Sequence, residues 1–377
     1  MQVQTNATGS PDPLPPLPWN HYYQNLYMPH VIVILGNIGI TAGYHRLWTH
    51  KSYEASLSLR VFLAIFGGAQ LQWSILWWVT HHRAHHWYLD TDKDPYDSRK
   101  GFFFCHVGWL LGYTPKTWGP VNIADLKDDP VVLWQDKYYF IIAALGCFGL
   151  PTIIAHYGWN DWQGGLIYAG FLRVFLYLQV TSLTNSLAHS EWGGKKPYSA
   201  KHSAVNNIFL GVVNSGEGWH NFHHTFPTDF RNGIQWYEVD LSKWMIRLWC
   251  QLGLASNLVK VSDFEIERQI RRVQNREKDE RVEDDRRILS TLPTMQWTEF
   301  ISQANTGRCL VCIDGVIHDI SDFMGEHPGG RDLLHQVLAN DGTAAFNGFH
   351  GHSPHARHIL TTMRIAVLQD GPATDFK

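Results

Sequence analysis

The chain has 377 residues, 45% of them hydrophobic and 17% charged, with a net charge of -3 and a pI near 6.7. That length admits two domains, and the near-neutral charge gives no reason to expect nucleic acid as a partner. Five cysteines (Cys105, Cys147, Cys250, Cys309 and Cys312) show no disulfide framework, so the bulk of the chain is expected in a reducing compartment.

In chain order, residues 1–25 are polar and Pro-rich and read as a disordered N-terminus without a cleavable leader. Leu26–Tyr44 is an apolar stretch interrupted by Pro29, His30 and Asn37, and reads as a first membrane span near 26–44. His45 and His50 follow in HRLWTH. The apolar stretch Leu57–Val79 is long enough to cross, yet His50 precedes it and His82 follows it. If it crossed, the two histidine groups would lie on opposite sides of the bilayer. It is therefore expected in the interface or folded back, with Arg60, Gln70 and Gln72 on its wetter side.

His82, His85 and His86 form HRAHH, and His220, His223 and His224 form HNFHH. On a helix, positions i, i+3 and i+4 share one face, so each box presents three imidazoles in one direction. Neutral imidazole suits iron, zinc, copper or nickel, and several such faces make a cage for more than one metal. Between these boxes, stretches near 138–157 and 164–188 read as a spanning helical hairpin that returns His220 to the side of His82. Arg173 and Gln179, inside the second of them, are expected to face protein or a cavity rather than lipid.

Residues 263–287 carry nine acidic and eight basic side chains, which suits a solvated charged helical linker over 262–291. From about 294 to 370 the pattern is that of a small α+β domain, with a strand at Cys309–Ile313 and a turn at Asp314-Gly315. Cys309-x-x-Cys312 reads as structural, since a zinc site needs two further ligands. Glu326-His327-Pro328-Gly329-Gly330 forces a tight turn whose backbone can approach a flat ligand. A histidine on each side of such a ligand gives bis-imidazole haem ligation, which leaves no open position for O₂ and suits electron transfer. With the Ile317–Phe323 stretch IHDISDF before it, this segment resembles the cytochrome b5 domain, and that resemblance implies haem b held axially by His327 and His352. His350, His355 and His358 crowd the second of these.

The motifs GITAGYHRLWTH, HHRAHH, RKGFFFCHVGWLL, NSLAH and GEGWHNFHHTFP together resemble the membrane acyl-CoA Δ9 (stearoyl-CoA) desaturase family in its fungal form, which carries cytochrome b5 at the C-terminus. The resemblance implies a mainly α fold: a membrane helical desaturase domain over 26–250 with a cytosolic di-metal cap, plus a small α+β cytochrome b5-like domain over 294–370. It implies two non-haem irons held by His45, His50, His82, His85, His86, His189, His220, His223 and His224, with Asn185 as a weak or water-mediated neighbour. It further implies saturated acyl-CoA and O₂ as substrates, CoA contacts at Arg99 and Lys100, NADH-cytochrome b5 reductase as electron source, and a multi-pass endoplasmic reticulum location. Two departures stand out. Thr80-His81 occupies the place where the family commonly has Arg-Asp, and only one span has room before His45. With cytosolic boxes, residues 1–28 would then be lumenal. They contain no Lys or Arg and include the glycosylation acceptor Asn6-Ala7-Thr8. A His-box hydroxylase, or an electron carrier with an inactive desaturase half, are the competing functions.

Overall fold

The computed structural model describes residues 19–112, 117–348 and 352–370. The chain divides into two compact units, Met1–Val273 and Gln274–Lys377. The glycosylation acceptor and residues 1–18 lie outside the described residues.

In the first unit, α1 (Trp19–Ile38) runs straight into an eleven-residue π-helix, Gly39–Thr49. The helix thus starts inside the stretch whose composition suggests disorder. α2 (Leu57–Gly68) packs on the π segment so closely that a Cβ on Gly39 would lie 2.2 Å from the backbone nitrogen of Gly67. Only glycine permits that approach. At twelve residues α2 is about 18 Å long, too short for a hydrocarbon layer of roughly 30 Å. Ser56 and Ser74 cap the N-termini of α2 and α3 (Ile75–Tyr88), and the break between these helices carries left-handed residues at Leu71 and Trp73. Leu57–Val79 therefore folds back, as its flanking histidines require.

Gln70 and Gln72 depart from the expected wetter side: both are buried. The break turns them inward, where Gln70 accepts from Arg173 Nη1 (3.3 Å) and Gln72 donates to Thr181 Oγ1 (3.1 Å). Arg60 does stay near the surface, paired with Asp129.

Two helices are long and apolar enough to cross a membrane: α4 (Pro130–Trp159) and α5 (Trp162–His189). Among the described residues the expected span 26–44, which falls across α1 and the π-helix, does not meet that standard. Asn160, in the left-handed region, ends α4 and reverses the chain into α5. Large apolar side chains such as Phe140, Ile141, Phe171 and Phe175 stand exposed on the pair. Arg173 turns the other way, 3% exposed, and its guanidinium also donates to the carbonyls of Ala169 (2.7 Å) and Cys147 (3.3 Å). A cation in an apolar helix is tolerable when its donors are satisfied by protein in this way.

The core joins Tyr44, Leu47 and Trp48 of the π-helix to Leu59, Leu63, Ile75, Val79, Val132 and Ile246. Buried at its edge, Arg46 bridges Glu217 (3.1 Å) and Asp240 (2.8 Å) and donates to the Phe230 carbonyl (2.9 Å). These contacts tie the π-helix to the segment just before the short helix α6 (His220–Thr225) and to the segment before α7 (Leu241–Gln251). Breaking a buried pair of this kind typically costs about 3–5 kcal/mol. The charged helix α8 covers Asp263–Thr291, and its first turns are less solvated than a linker: Ile266 and Ile270 pack with Tyr198, Phe222 and Phe226.

The second unit holds a four-stranded sheet. In chain order its strands are β1 (Thr294–Gln296), β2 (Leu310–Ile313), β3 (Val316–Asp319) and β4 (Arg364–Asp370), and in space they run β1-β4-β3-β2. Asp314 and Gly315, both with positive φ, form the two-residue hairpin turn between β2 and β3. Alternation along β2 sends Leu310 and Cys312 to one core and Val311 and Ile313 to another.

Candidate metal centre and haem pocket

His45 and His50 stand five residues apart, which on an α-helix would point them roughly 140° from one another. The wider winding of the π-helix brings them to one side, with ring centroids 4.9 Å apart. Nine histidines then gather in two groups. Ligand atoms of His45, His50, His82, His86 and His223 lie within 4.8 Å of one another, and so do those of His85, His189, His220 and His224. The expectation that each box aims all three imidazoles one way needs refinement. The i and i+4 members of HRAHH (His82, His86) join the five-histidine group, and the i+3 member His85 joins the other. In HNFHH the assignment is reversed: His220 and His224 go to the four-histidine group and His223 to the first.

Hydrogen bonds at Nδ1 aim several of these rings. His45 Nδ1 meets Glu217 Oε2 at 2.8 Å, His85 Nδ1 meets Asp94 Oδ1 at 2.9 Å, and His189 Nδ1 meets Ser203 Oγ at 2.7 Å. Such contacts fix the tautomer and leave the Nε2 lone pair facing inward. Inside, His45 and His189 bring Nε2 to 2.9 Å from Nε2 of His223 and His220 respectively. Inward lone pairs that close repel unless a cation lies between them, and buried His50 Nε2 has no hydrogen-bond partner among the described residues. Burial, followed by the neighbouring imidazoles, holds His82, His86, His223 and His224 well below the usual imidazole range, so they are neutral at pH 7. Although burial opposes ionisation of the Glu217 carboxyl, His45 and Arg46 bring it down to about 2. The donor set, the neutral state of these four imidazoles and the Nδ1 supports fit two metal ions.

Beside both groups lies a small cavity of about 50 Å³, bordered by His45, His82, His220, Asn185, Trp78 and Tyr177. Asn185 is therefore adjacent to the centre. Arg99 is exposed and engaged by Asp97 (2.8 Å) and Asp92 (2.6 Å), and Lys100 lies 3.9 Å from Asp97. Arg99 borders a polar pocket of about 490 Å³ that also contains Lys196, Lys201 and His189. His81, expected at the surface or behind the ligands, is buried outside both groups, stacked on Trp77 at 3.8 Å and edge-on to Trp118.

In the second unit an apolar cavity of about 580 Å³ is lined by Val311, Ile313, Ile320, Phe323, Leu334 and Leu360 together with His327 and His352. The two histidine rings face one another at 6.5 Å between centroids. Two imidazoles whose nitrogens each sit about 2 Å from a metal between them need a separation of that size. His327 Nδ1 lies 3.3 Å from the Gly330 carbonyl and His352 Nδ1 2.8 Å from that of Phe346, so both Nε2 atoms are free to point inward. Gly330, at φ 83°, closes the turn on which His327 sits. His355 also borders the cavity, His358 is exposed, and His350 lies outside the described residues.

Comparison with known proteins agrees with this division. Residues 25–251 match the profile "Fatty acid desaturase" and residues 296–369 match "Cytochrome b5-like Heme/Steroid binding domain". Acyl-CoA desaturase 1 of Saccharomyces cerevisiae is 42% identical over 342 residues, covering 89% of this chain and 66% of that protein. The "Probable acyl-CoA desaturase" of Schizosaccharomyces pombe is 43% identical over 89% of this chain and 70% of its own length. Stearoyl-CoA desaturase of Sus scrofa is 41% identical over 244 residues, which covers 63% of this chain and 67% of that protein. The chain thus spans about two thirds of the length of these relatives, and it belongs to the fatty acid desaturase family, with a cytochrome b5-like domain at its C-terminal end.

Proposed function

We propose that the chain is an O₂-dependent acyl-CoA Δ9 desaturase that places a cis double bond in palmitoyl- or stearoyl-CoA, with electrons from its own haem domain. The observation that carries this reading is the pair of largely buried histidine groups beside a small cavity, on the same chain as a haem-sized pocket between two histidines. No side-chain base can deprotonate an unactivated methylene, whereas two irons, when bound, would supply the activation of O₂ needed to remove its hydrogen atoms. The irons would be held by the five- and four-histidine groups, with Asn185 beside the second.

The protein's own residues do the rest. Glu217 and Asp94 orient His45 and His85 and keep their protons on Nδ1. Trp78, Tyr177 and Ile40 border the small cavity and would meet the part of the acyl chain that enters it. The apolar faces of α4 and α5 sit in lipid, multi-pass in the endoplasmic reticulum, with both functional units cytosolic. His327 and His352 would hold haem b, which would supply one-electron transfer for electrons delivered by NADH-cytochrome b5 reductase. Tethering replaces a collision with a high local concentration of donor. Arg99 and Lys100 would reach the CoA phosphates only by exchanging their present carboxylate partners.

Complementation of an unsaturated-fatty-acid auxotroph, with analysis of the products, tests the reading. A cis-9 alkene supports it. A hydroxy acid would make the protein a His-box hydroxylase, and failure to complement despite a full haem spectrum would leave only an electron carrier.

A further inference from the structure

The two histidine groups are supported differently. Glu217 reaches the five-histidine group directly, through His45. Support for the four-histidine group traces back to one turn just after α3. Asp94 in that turn receives His85 Nδ1, and the same carboxylate accepts the backbone N–H of Asp90 (3.2 Å) and of Tyr96 (2.9 Å). Asp90 itself sits at φ 58°, a left-handed conformation that Asp tolerates better than most residues. Its carboxylate accepts the backbone N–H of Ser203 (2.8 Å) and the hydroxyl of Ser98 (2.9 Å). Ser203 belongs to an irregular segment with no helix or strand to fix it, and its hydroxyl meets His189 Nδ1 at 2.7 Å.

We infer that Asp90 is a positioning residue of the four-histidine group, acting through Ser203 on His189. The inference rests on the reading that this group holds a metal. The carboxylate fixes the Ser203 backbone, so the hydroxyl is held where it can accept the Nδ1 proton of His189. That leaves the His189 Nε2 lone pair directed at the other three imidazoles. One turn thereby aims two of the four ligands, His85 through Asp94 and His189 through Asp90 and Ser203. The five-histidine group makes no use of it. Outer partners of metal-bound histidines typically carry 10–100-fold in metal affinity, so loss of Asp90 should show as a deficit in one group alone.

The test is non-haem metal per haem in the full-length protein, together with the kinetics of metal release to a chelator. Haem serves as internal count, because its ligands lie in the other unit. Wild type should hold two non-haem iron ions per haem. Asp90→Asn should hold close to one, with one of two release phases accelerated 10–100-fold and the other unchanged. Ser203→Ala should reproduce that pattern even if the Asp90 variant fails to fold, and Ser203→Thr should restore the second ion. Ser98→Ala removes the other hydrogen bond of Asp90 without touching the path to His189, and should keep both ions. Two ions with wild-type release in both Asp90→Asn and Ser203→Ala would overturn the inference. So would equal acceleration of both phases, or a Ser98→Ala deficit as large as that of Asp90→Asn. A wild-type protein that never reaches two non-haem metal ions per haem would instead sink the metal reading itself.

Discussion

The candidate metal centre and the candidate haem pocket use histidine in opposite ways. The centre draws nine imidazoles from four separated parts of the sequence and aims several of them with carboxylates or a hydroxyl, one of which, Glu217, lies more than a hundred residues from the histidine it supports. The haem pocket takes two histidines 25 residues apart, each oriented by a carbonyl of its own neighbourhood, Gly330 or Phe346. One site is set by tertiary structure and the other by local turns. The haem unit should therefore survive lesions that empty the centre, whereas the centre should respond to changes far from any ligand.

The largest expected effect comes from a ligand in the centre. His223→Ala removes an imidazole that lies 2.9 Å from His45 and 3.0 Å from His86. Desaturation should fall below detection while the haem spectrum stays intact. Near-normal turnover would break the comparison at its root. Next comes His327→Ala, which should abolish haem absorbance and NADH-driven turnover but leave non-haem metal at its wild-type level. Loss of both together would mean that the two sites are not independent.

Glu217→Gln should be graded rather than total. It weakens the support of His45 and one arm of the buried Arg46 bridge, with a stability cost of roughly 3–5 kcal/mol and a 10–100-fold loss of metal affinity. Thermal unfolding and metal titration would report these separately. A metal loss without any stability loss would mean that Asp240 alone suffices for Arg46.

The smallest effect concerns His318 in β3. Burial, followed by Arg364, pushes its imidazole down to about 4. Its folded pKa lies below the unfolded value of about 6.5, so the unfolded chain takes up a proton first as pH falls. Stability of the haem unit should be fully present above about pH 6.5 and decline towards pH 4, by up to about 3 kcal/mol. His318→Phe should flatten that slope, as followed by denaturant-induced loss of the haem absorbance. An unchanged slope would place the pH sensitivity elsewhere in the unit.

Much of this contrast could be read from the residues, and the unread part has a physical cause. The i, i+3, i+4 spacing of HRAHH and HNFHH marks helices whose histidines converge, and HPGG with an Asp-Gly hairpin turn marks the unit that matches the cytochrome b5-like profile. Spacing alone does not reveal that His85 and His223 part from their neighbours, because that depends on how α6 meets α3. Glu217, Asp94 and Ser203 went unread for a different reason: they act on the far nitrogen of each ring, so no ligand spacing points to them. A signal for one existed in Glu217, a buried acid three residues before His220 in the third box. Gln70 and Gln72 misled because a polar residue at the end of an apolar stretch suggests water, and here it meets Arg173 and Thr181 instead.

The π-helix at Gly39–Thr49 bears on how such a centre can change over time. All eleven of its residues are buried, and its winding alone lets a five-residue interval serve two converging rings. Side-chain replacements within it alter packing by degrees. Removing one residue between His45 and His50 would return the interval to the four-residue repeat of an ordinary helix, while shifting every later position against α2 by about a quarter turn. Variation in this segment should consequently arrive as substitutions and almost never as insertions or deletions. A library of single-residue deletions across 39–50 should contain no functional member, while the linker half of α8 beyond Val273 should yield many.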